Sequence, residues 1–150
     1  MIRLSVPGTL RYRDIVLRVV ASACRLLRPQ RAAKQETSRE GEAADFDDLV
    51  VSAVGEAFNN VAIHAYRGRS AGAVELELEL REDAVTIRIS DTGTSYDPTR
   101  TAAPELDQLP DSGMGLYIMR TCMDEVSYEP GKPLGAPNVL TMTKRYPTRA

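Results

Sequence analysis

Three polar side chains in the first half of the chain have the spacing of one helix face. Glu56, Asn60 and His64 follow one another at intervals of four residues, in a run that is otherwise mostly apolar or small. Four residues advance an α-helix by about 400°, so these side chains would form one stripe. A carboxylate and an amide oxygen one turn apart suit a hard cation such as Mg²⁺. The alternative is a solvated polar stripe that binds nothing.

A carboxylate stands at the end of a segment that alternates apolar and polar residues. Asp91, Thr92 and Gly93 close this segment. Asp91 could accept a hydrogen bond from an exocyclic amine, such as that of adenine. Gly93 would allow the backbone to approach a flat ring closely. The alternative is an ordinary Asp-x-Gly turn.

A glycine-rich segment precedes the third apolar stripe. It consists of Ser112, Gly113, Met114, Gly115 and Leu116. Free backbone N–H groups at a helix start, with glycines that let an anion approach, are typical of a phosphate site. No Gly-Lys-Ser/Thr follows, so the segment is not a P-loop, and no strand leads directly into it, as a dinucleotide fingerprint requires. The alternative is a flexible junction between a loop and a helix.

Helical periodicity indicates which elements position these residues. The apolar spacing predicts one helix from Asp14 to about Leu27, another from Asp45 to about Tyr66, and a third that opens at Gly113. The intervening stretch Gln30–Ala44 contains no Val, Ile, Leu, Phe or Tyr. Such a stretch has too little apolar surface to pack, so it predicts a polar surface insertion.

Alternating segments predict a sheet. Val74–Leu80 and Val85–Ile89 alternate apolar with polar residues around a short turn, which indicates a hairpin. Further short strands are predicted at Ile2–Val6, Val126–Tyr128 and Val139–Tyr146. The stretch between the hairpin and the third helix, residues 94–112, holds three prolines and reads as a long functional loop. Helices and strands together predict an α+β domain.

The composition limits the class of protein. The 150 residues are 43% apolar, which suits a single domain with its own core. A net charge of −2 and 5% aromatic residues argue against a nucleic-acid-binding surface. One histidine excludes any site that needs two, and two cysteines are too few for a disulfide scaffold. The apolar runs are too short to span a membrane, so we expect a reduced, cytoplasmic protein.

The order of the three polar segments resembles the GHKL ATPase superfamily and, within it, the anti-sigma factor serine kinases of bacteria. Glu56–Tyr66 matches their N box, and Asp91–Pro98 resembles their first glycine box. Gly113–Met119, followed by Met123–Val126, resembles their second. The likeness covers nearly the whole chain except Gln30–Ala44. It implies a two-layer α/β sandwich, the Bergerat ATP-binding fold, with a mixed, mostly antiparallel sheet and helices on one face.

The resemblance also implies a role for each matching residue. Glu56 would be the general base, Asn60 would hold the Mg²⁺ that bridges the phosphates of ATP, and Asp91 would bind the adenine amine. Gly93 would pass under the ring, and residues 94–112 would form a lid over the nucleotide. The nucleotide-binding set would further include Ser95, Ser112, Gly113, Met114, Gly115, Leu116 and Thr141.

Two positions depart from the family pattern. Ser95 stands where the first glycine box usually has a second glycine. The threonine that many relatives carry beside adenine on the late strand is displaced, with Asn138 near its place and Thr141 beyond it. The choice between these two residues stays open. His64, inside the N box, is expected to be structural.

By resemblance, the chain would be an ATP- and Mg²⁺-dependent protein serine/threonine kinase, able to bind ATP or ADP, that acts as an anti-sigma factor. It would phosphorylate a serine of an anti-anti-sigma protein and bind a sigma factor, as a homodimer, with no direct contact to nucleic acid or membrane. Two alternatives remain: a nucleotide-gated partner-binding module without kinase turnover, and an α+β interaction domain that never binds nucleotide.

Overall fold

A five-stranded sheet organises the part of the chain that the computed structural model describes, residues 1–26, 40–97, 114–133 and 135–146. The strand order is β1-β2-β3-β5-β4. The bounds are β1 Ile2–Pro7, β2 Ala73–Leu80, β3 Ala84–Asp91, β4 Glu125–Glu129 and β5 Asn138–Arg145. All four strand pairs are antiparallel, so the sheet is antiparallel throughout these residues, whereas the resemblance implied a mixed one.

The alternation of apolar and polar residues in the sequence gives the sheet one buried face and one solvent-exposed face. In β2, Val74, Leu76 and Leu78 are fully buried, and the glutamates between them point to the opposite face. The hairpin of β2 and β3 is therefore confirmed, and it pairs Leu78 with Ile87. On the solvent-exposed face, Arg3 of β1 forms a salt bridge with Glu77 of β2, with 2.9 Å between Nε and Oε1.

Three helices are described. They are α1 (Arg13–Leu26), α2 (Glu40–Asn60) and α3 (Met114–Cys122). The α2 helix begins at Glu40 and not at Asp45, so the last five residues of the expected insertion are helical. The remainder of that insertion, residues 30–39, lies outside the described residues. Glu and Ala, which dominate residues 40–44, are good helix formers even without a large apolar side chain.

The last turn of this helical segment is wider than an α-helical turn. Val61–Ala65 form a π-helical turn directly after α2, where the sequence predicts an unbroken α-helix to Tyr66. A π turn uses i→i+5 hydrogen bonds, so it departs from the α-helical spacing on which the predicted stripe depends. His64 lies in this turn, and its ring stacks on Tyr96 with centroids 4.5 Å apart.

One hydrophobic core lies between the helices and the inner face of the sheet. Its largest fully buried side chains include Phe58, Leu76, Leu78, Ile87, Ile89, Met119 and Met142. This arrangement confirms the α+β, two-layer prediction. Among the described residues, no helix is long and apolar enough to cross a membrane.

Candidate functional site

A pocket that is open to solvent lies between the C-terminal end of α2, the residues that follow it, and the strands β3, β4 and β5. Small and apolar side chains from both layers form its floor: Ala57, Val61, Ile89 and Leu140. Its polar groups come from Asn60, Asp91 and Thr94, and the rings of Tyr96 and Tyr128 form a wall. A flat apolar space with a few polar groups at its edge is typical of a site for a small organic ligand.

Asp91 is the buried carboxylate of this pocket. It ends β3, is 7% exposed, and lies directly opposite Asn138 of β5. Its Oδ1 accepts two hydrogen bonds, from the backbone N–H of Gly93 at 2.8 Å and from Nδ2 of Asn138 at 3.0 Å. These two donors fix the orientation of this carboxylate, which belongs to the residue predicted to bind the adenine amine.

Asn138 is the residue that the strand places beside Asp91. Its side chain is 2% exposed. Besides Asp91, its Nδ2 donates to the carbonyl of Gly93 at 3.1 Å. Its Oδ1 accepts from the Ser95 hydroxyl at 2.6 Å and from the backbone N–H of Gly131 at 2.9 Å. All the donors and acceptors of this carboxamide therefore have partners.

Thr141, which the sequence analysis included in the nucleotide-binding set, lies on the other face of the sheet. Successive side chains of a strand point to opposite faces. Leu140 and Met142 are buried on the inner face, so Thr141 points outward, paired in register with Arg88 and Ser127. Neither of the two alternatives on β5 lines the pocket itself, and of the two it is Asn138 that hydrogen-bonds to Asp91.

Gly93 is a glycine because the chain passes too close to the helical segment for a side chain. A Cβ at this position would lie 2.4 Å from the carbonyl oxygen of Ala65 and 2.6 Å from its Cβ. The same carbonyl accepts a hydrogen bond from the backbone N–H of Thr94 at 2.8 Å. The close approach therefore joins the end of β3 to the π turn, a constraint that acts without any ligand.

The residues after Gly93 are held by β4 and β5. Ser95, predicted to bind nucleotide, donates to Asn138 and is not among the pocket residues. The backbone N–H of Tyr96 donates to the Tyr128 hydroxyl at 3.0 Å. Burial raises the pKa of Tyr128 above its ordinary value, while the hydrogen bond from Tyr96 opposes that shift. Tyr128 therefore stays protonated and acts as a fixed acceptor.

Glu56 and Asn60 meet the start of α3. A Cβ at Gly115 would lie 3.2 Å from Oε2 of Glu56 and 3.6 Å from Oδ1 of Asn60, so these groups converge on the glycine. A carboxylate and an amide oxygen are ligands that suit Mg²⁺, which usually takes only one or two from the protein. No three His, Cys, Asp or Glu side chains gather as metal ligands in the described ranges. A cation here would therefore need phosphate and water ligands as well.

The rest of the glycine-rich segment is only partly described. Met114 begins α3 and is half-buried, and Leu116 is 7% exposed and packs into the core. Ser112, Gly113 and the predicted lid from residue 98 onward lie outside the described residues. The contribution of Leu116 to a phosphate site is thus limited to its backbone, because its side chain is part of the core.

Several residues of the site were not identified from the sequence. Tyr96 and Tyr128 form the pocket wall, and Ala65 accepts the hydrogen bond that anchors Thr94. In the strand predicted at Val126–Tyr128, the alternation around Ser127 could have indicated that Tyr128 shares a face with Val126. Nothing in the sequence pattern indicated that the carbonyl of Ala65 would accept a hydrogen bond from Thr94, just after β3.

Comparison with known proteins relates the chain to one family of domains. Residues 19–144 match the family model described as a histidine kinase-like ATPase domain. The anti-sigma F factor of Clostridium beijerinckii is 39% identical over 98 residues, 61% of this chain and 66% of that protein. The serine-protein kinase RsbW of Bacillus velezensis is 36% identical over 93 residues, 57% of this chain and 58% of that protein. RsbW of Bacillus subtilis is 37% identical over 98 residues, 59% of this chain and 61% of that protein. The matched stretch thus spans about three fifths to two thirds of these relatives.

Proposed function

Since the chain belongs to the histidine kinase-like ATPase domain family, we propose that it is an ATP-dependent protein serine/threonine kinase that regulates a sigma factor. The observation that carries this proposal is the convergence of Glu56 and Asn60 on Gly115, beside a pocket whose buried carboxylate is Asp91. A pocket that could take a base, beside a carboxylate and an amide that could face the phosphates, would provide what phosphoryl transfer from a nucleotide requires. The names of the relatives support the same class of activity.

In the proposed reaction, Glu56 accepts the proton of the attacking serine hydroxyl. The serine oxygen forms a bond to the γ-phosphorus, and the bond from that phosphorus to the bridging oxygen of ADP breaks. ADP then leaves with the electron pair of that bond. Because phosphoryl transfer depends on positioning and on neutralising charge, the protein needs few covalent contributions.

Asn60 would hold Mg²⁺ through its amide oxygen, with Glu56 close enough to share a ligand water. The cation would supply charge neutralisation at the phosphates. Asp91 would orient the base through its amine, and Tyr96 and Tyr128 would exclude water from one side of the ring. The absence of a side chain at Gly115 lets the start of α3 lie close to the Glu56 carboxylate.

The partners of the proposed kinase are proteins. We propose that the substrate is a serine of an anti-anti-sigma protein, that the chain binds a sigma factor, and that it acts as a homodimer in the cytoplasm. The names of the relatives support the sigma-factor role. Both cysteines, Cys24 and Cys122, are buried as thiols and are not joined in a disulfide.

The test is transfer of labelled phosphate to a protein captured by this chain. The chain is used as bait in an extract of its own cells with and without ATP, and the captured protein is identified by mass spectrometry. Purified bait and captured protein are then incubated with γ-labelled ATP and Mg²⁺. We expect labelled serine with the wild-type chain, and a loss of at least about 100-fold with Glu56→Gln, whose ADP affinity stays unchanged.

The matched control removes a carboxylate in the same way at an exposed position away from the pocket, Glu82→Gln in the turn between β2 and β3. This variant should transfer phosphate at the wild-type rate. Labelling by Glu56→Gln at the wild-type rate would contradict the general-base role. Binding of nucleotide without transfer by the wild-type chain would favour a nucleotide-gated binding module.

A further inference from the structure

We propose that Asn138 is the positioning residue that sets the base preference of this pocket. The inference rests on the proposed nucleotide-binding function of the same site. Asn138 would hold Asp91 so that one carboxylate oxygen faces an amino group of the base. The chain would then prefer nucleotides that carry a 6-amino group over otherwise identical nucleotides that lack it.

The hydrogen-bond pattern allows only one orientation of the Asn138 carboxamide. Its oxygen faces two donors, the Ser95 hydroxyl and the Gly131 N–H, and its nitrogen faces two acceptors, the Gly93 carbonyl and Asp91. A flipped amide would place its NH₂ against the N–H of Gly131 and its oxygen against a carboxylate. The network therefore fixes which atom of Asn138 meets Asp91.

The orientation of Asn138 decides what Asp91 can bind. Among the described residues, both donors to Asp91 reach Oδ1, one from the backbone of Gly93 and one from Asn138. Oδ2 keeps its lone pairs for a ligand. A carboxylate accepts hydrogen bonds and donates none, so it attracts an amino group at position 6 of a purine and repels a carbonyl oxygen there.

Asn138 has the rigidity that such a role needs. It is 2% exposed, and its partners come from three segments of the chain: the end of β3, the stretch after Gly93, and the turn before β5. A buried network in which each polar group is satisfied holds its members in one arrangement. A shorter side chain at position 138 would leave Asp91 with one fewer donor and free to turn.

The experiment measures nucleotide affinity by calorimetry on the full chain with Mg²⁺, using ADP and purine riboside 5′-diphosphate, which lacks the 6-amino group. The wild-type chain should bind ADP about 10- to 100-fold more tightly, the effect of one hydrogen bond to a charged acceptor. In Asn138→Ala this preference should fall below about threefold, because ADP loses affinity and the analogue does not.

The matched control is Thr141→Ala, on the same strand with its side chain on the opposite face. It should keep the wild-type preference. Asn138→Ser provides a second variant with a smaller change, and melting by circular dichroism shows that each variant is folded. We expect an intermediate preference in Asn138→Ser.

Three results would overturn the inference. Asn138→Ala could weaken both nucleotides equally, which would assign the residue a structural role only. A folded Asn138→Ala or Asn138→Ser could keep the full preference for ADP, which would show that Asp91 needs no such support. If the wild-type chain binds neither nucleotide, the proposed function fails, and this inference fails with it.

Discussion

His64, Ala65 and Tyr66 are three consecutive residues that each meet a different part of the molecule. His64 stacks on Tyr96, and Ala65 contacts the end of β3 through its carbonyl oxygen. The ring of Tyr66 fills the space that side chains at Gly8 and Gly72 would occupy. These three residues therefore hold the pocket edge, the end of β3, and the backbone at Gly8 and Gly72 in place.

Gly93 tolerates no side chain, which leads to a prediction about stability. In Gly93→Ala the new methyl group would meet backbone atoms of Ala65, which cannot move as a flexible side chain can. We expect a loss of about 1–3 kcal/mol in the free energy of unfolding, as for other overpacked sites. Urea denaturation measures it. Wild-type stability in this variant would show that the π turn can withdraw from β3.

Gly115 leads to the opposite prediction, with stability kept and function reduced. The methyl group of Gly115→Ala would meet the end of the Glu56 side chain, which can rotate away. Alanine also favours a helix over glycine by up to about 1 kcal/mol. We expect unchanged or higher thermal stability together with at least about tenfold slower phosphate transfer, because Glu56 is displaced. Phosphate transfer at the wild-type rate in a folded variant would show that Gly115 is not needed to position Glu56.

The raised pKa of Tyr128 leads to a prediction about pH. Because burial raises its pKa in the folded state above the unfolded value near 10, the folded chain holds this proton more tightly. The stabilising contribution is therefore complete below pH 10 and is lost as the pH rises through the folded pKa. Titration of tyrosinate absorbance should show that Tyr128→Phe removes a transition centred above about pH 10. Loss of a transition at or below about pH 10 in this variant would contradict the prediction.

The elements of the fold are held by contacts at their ends as well as by the core. Lys144 of β5 donates from Nζ to the carbonyl of Cys122, the last residue of α3, at 2.6 Å. Its ammonium group also lies 5.9 Å from the centre of the Phe46 ring of α2. A cation at a helix C-terminus interacts favourably with the helix dipole. One side chain of the sheet therefore contacts two helices.

Lys144→Met should lower the free energy of unfolding by about 1 kcal/mol, the usual value of a hydrogen bond and a helix-end charge. Methionine keeps most of the apolar stem, so the loss isolates the ammonium group. Lys132→Met, on an exposed residue in the turn before β5, is the control and should change stability by less than about 0.5 kcal/mol. Equal effects of the two substitutions would show that the contact with α3 contributes nothing.

The strands and helices were largely predictable, because their core faces follow periods of two or about 3.6 residues. The start of α2 was not, since residues 40–44 offer no large apolar side chain to mark a helix. The π turn leaves no periodic signal of its own. The choice between Asn138 and Thr141 could have been made from strand parity, because Leu140 and Met142 place Thr141 on the outer face.

At the scale of the whole molecule, nucleotide binding should stabilise the fold. The pocket draws on α2, β3, β4 and β5, so a bound nucleotide contacts both layers. With Mg²⁺-ADP at about 100 times its Kd, we expect about 2.7 kcal/mol of added stability and a rise in melting temperature of about 5–10 °C. Differential scanning fluorimetry measures it. Glu56→Gln should show the same rise, and absence of any rise in the wild-type chain would contradict nucleotide binding.

The hydrogen bond from Asn138 to Asp91 joins residues that are 47 positions apart. The entropy of closing such a loop grows only slowly, by about 0.6 kcal/mol for each doubling of length, so changes in its length cost little stability. Their effect falls on the folding rate, because contacts between residues far apart in the chain slow the folding of a domain. During synthesis, a nascent chain that ends before Asn138 already contains Glu56, Asn60 and Asp91 but still lacks a finished base pocket. Nucleotide binding would therefore indicate that a newly made chain has completed its fold.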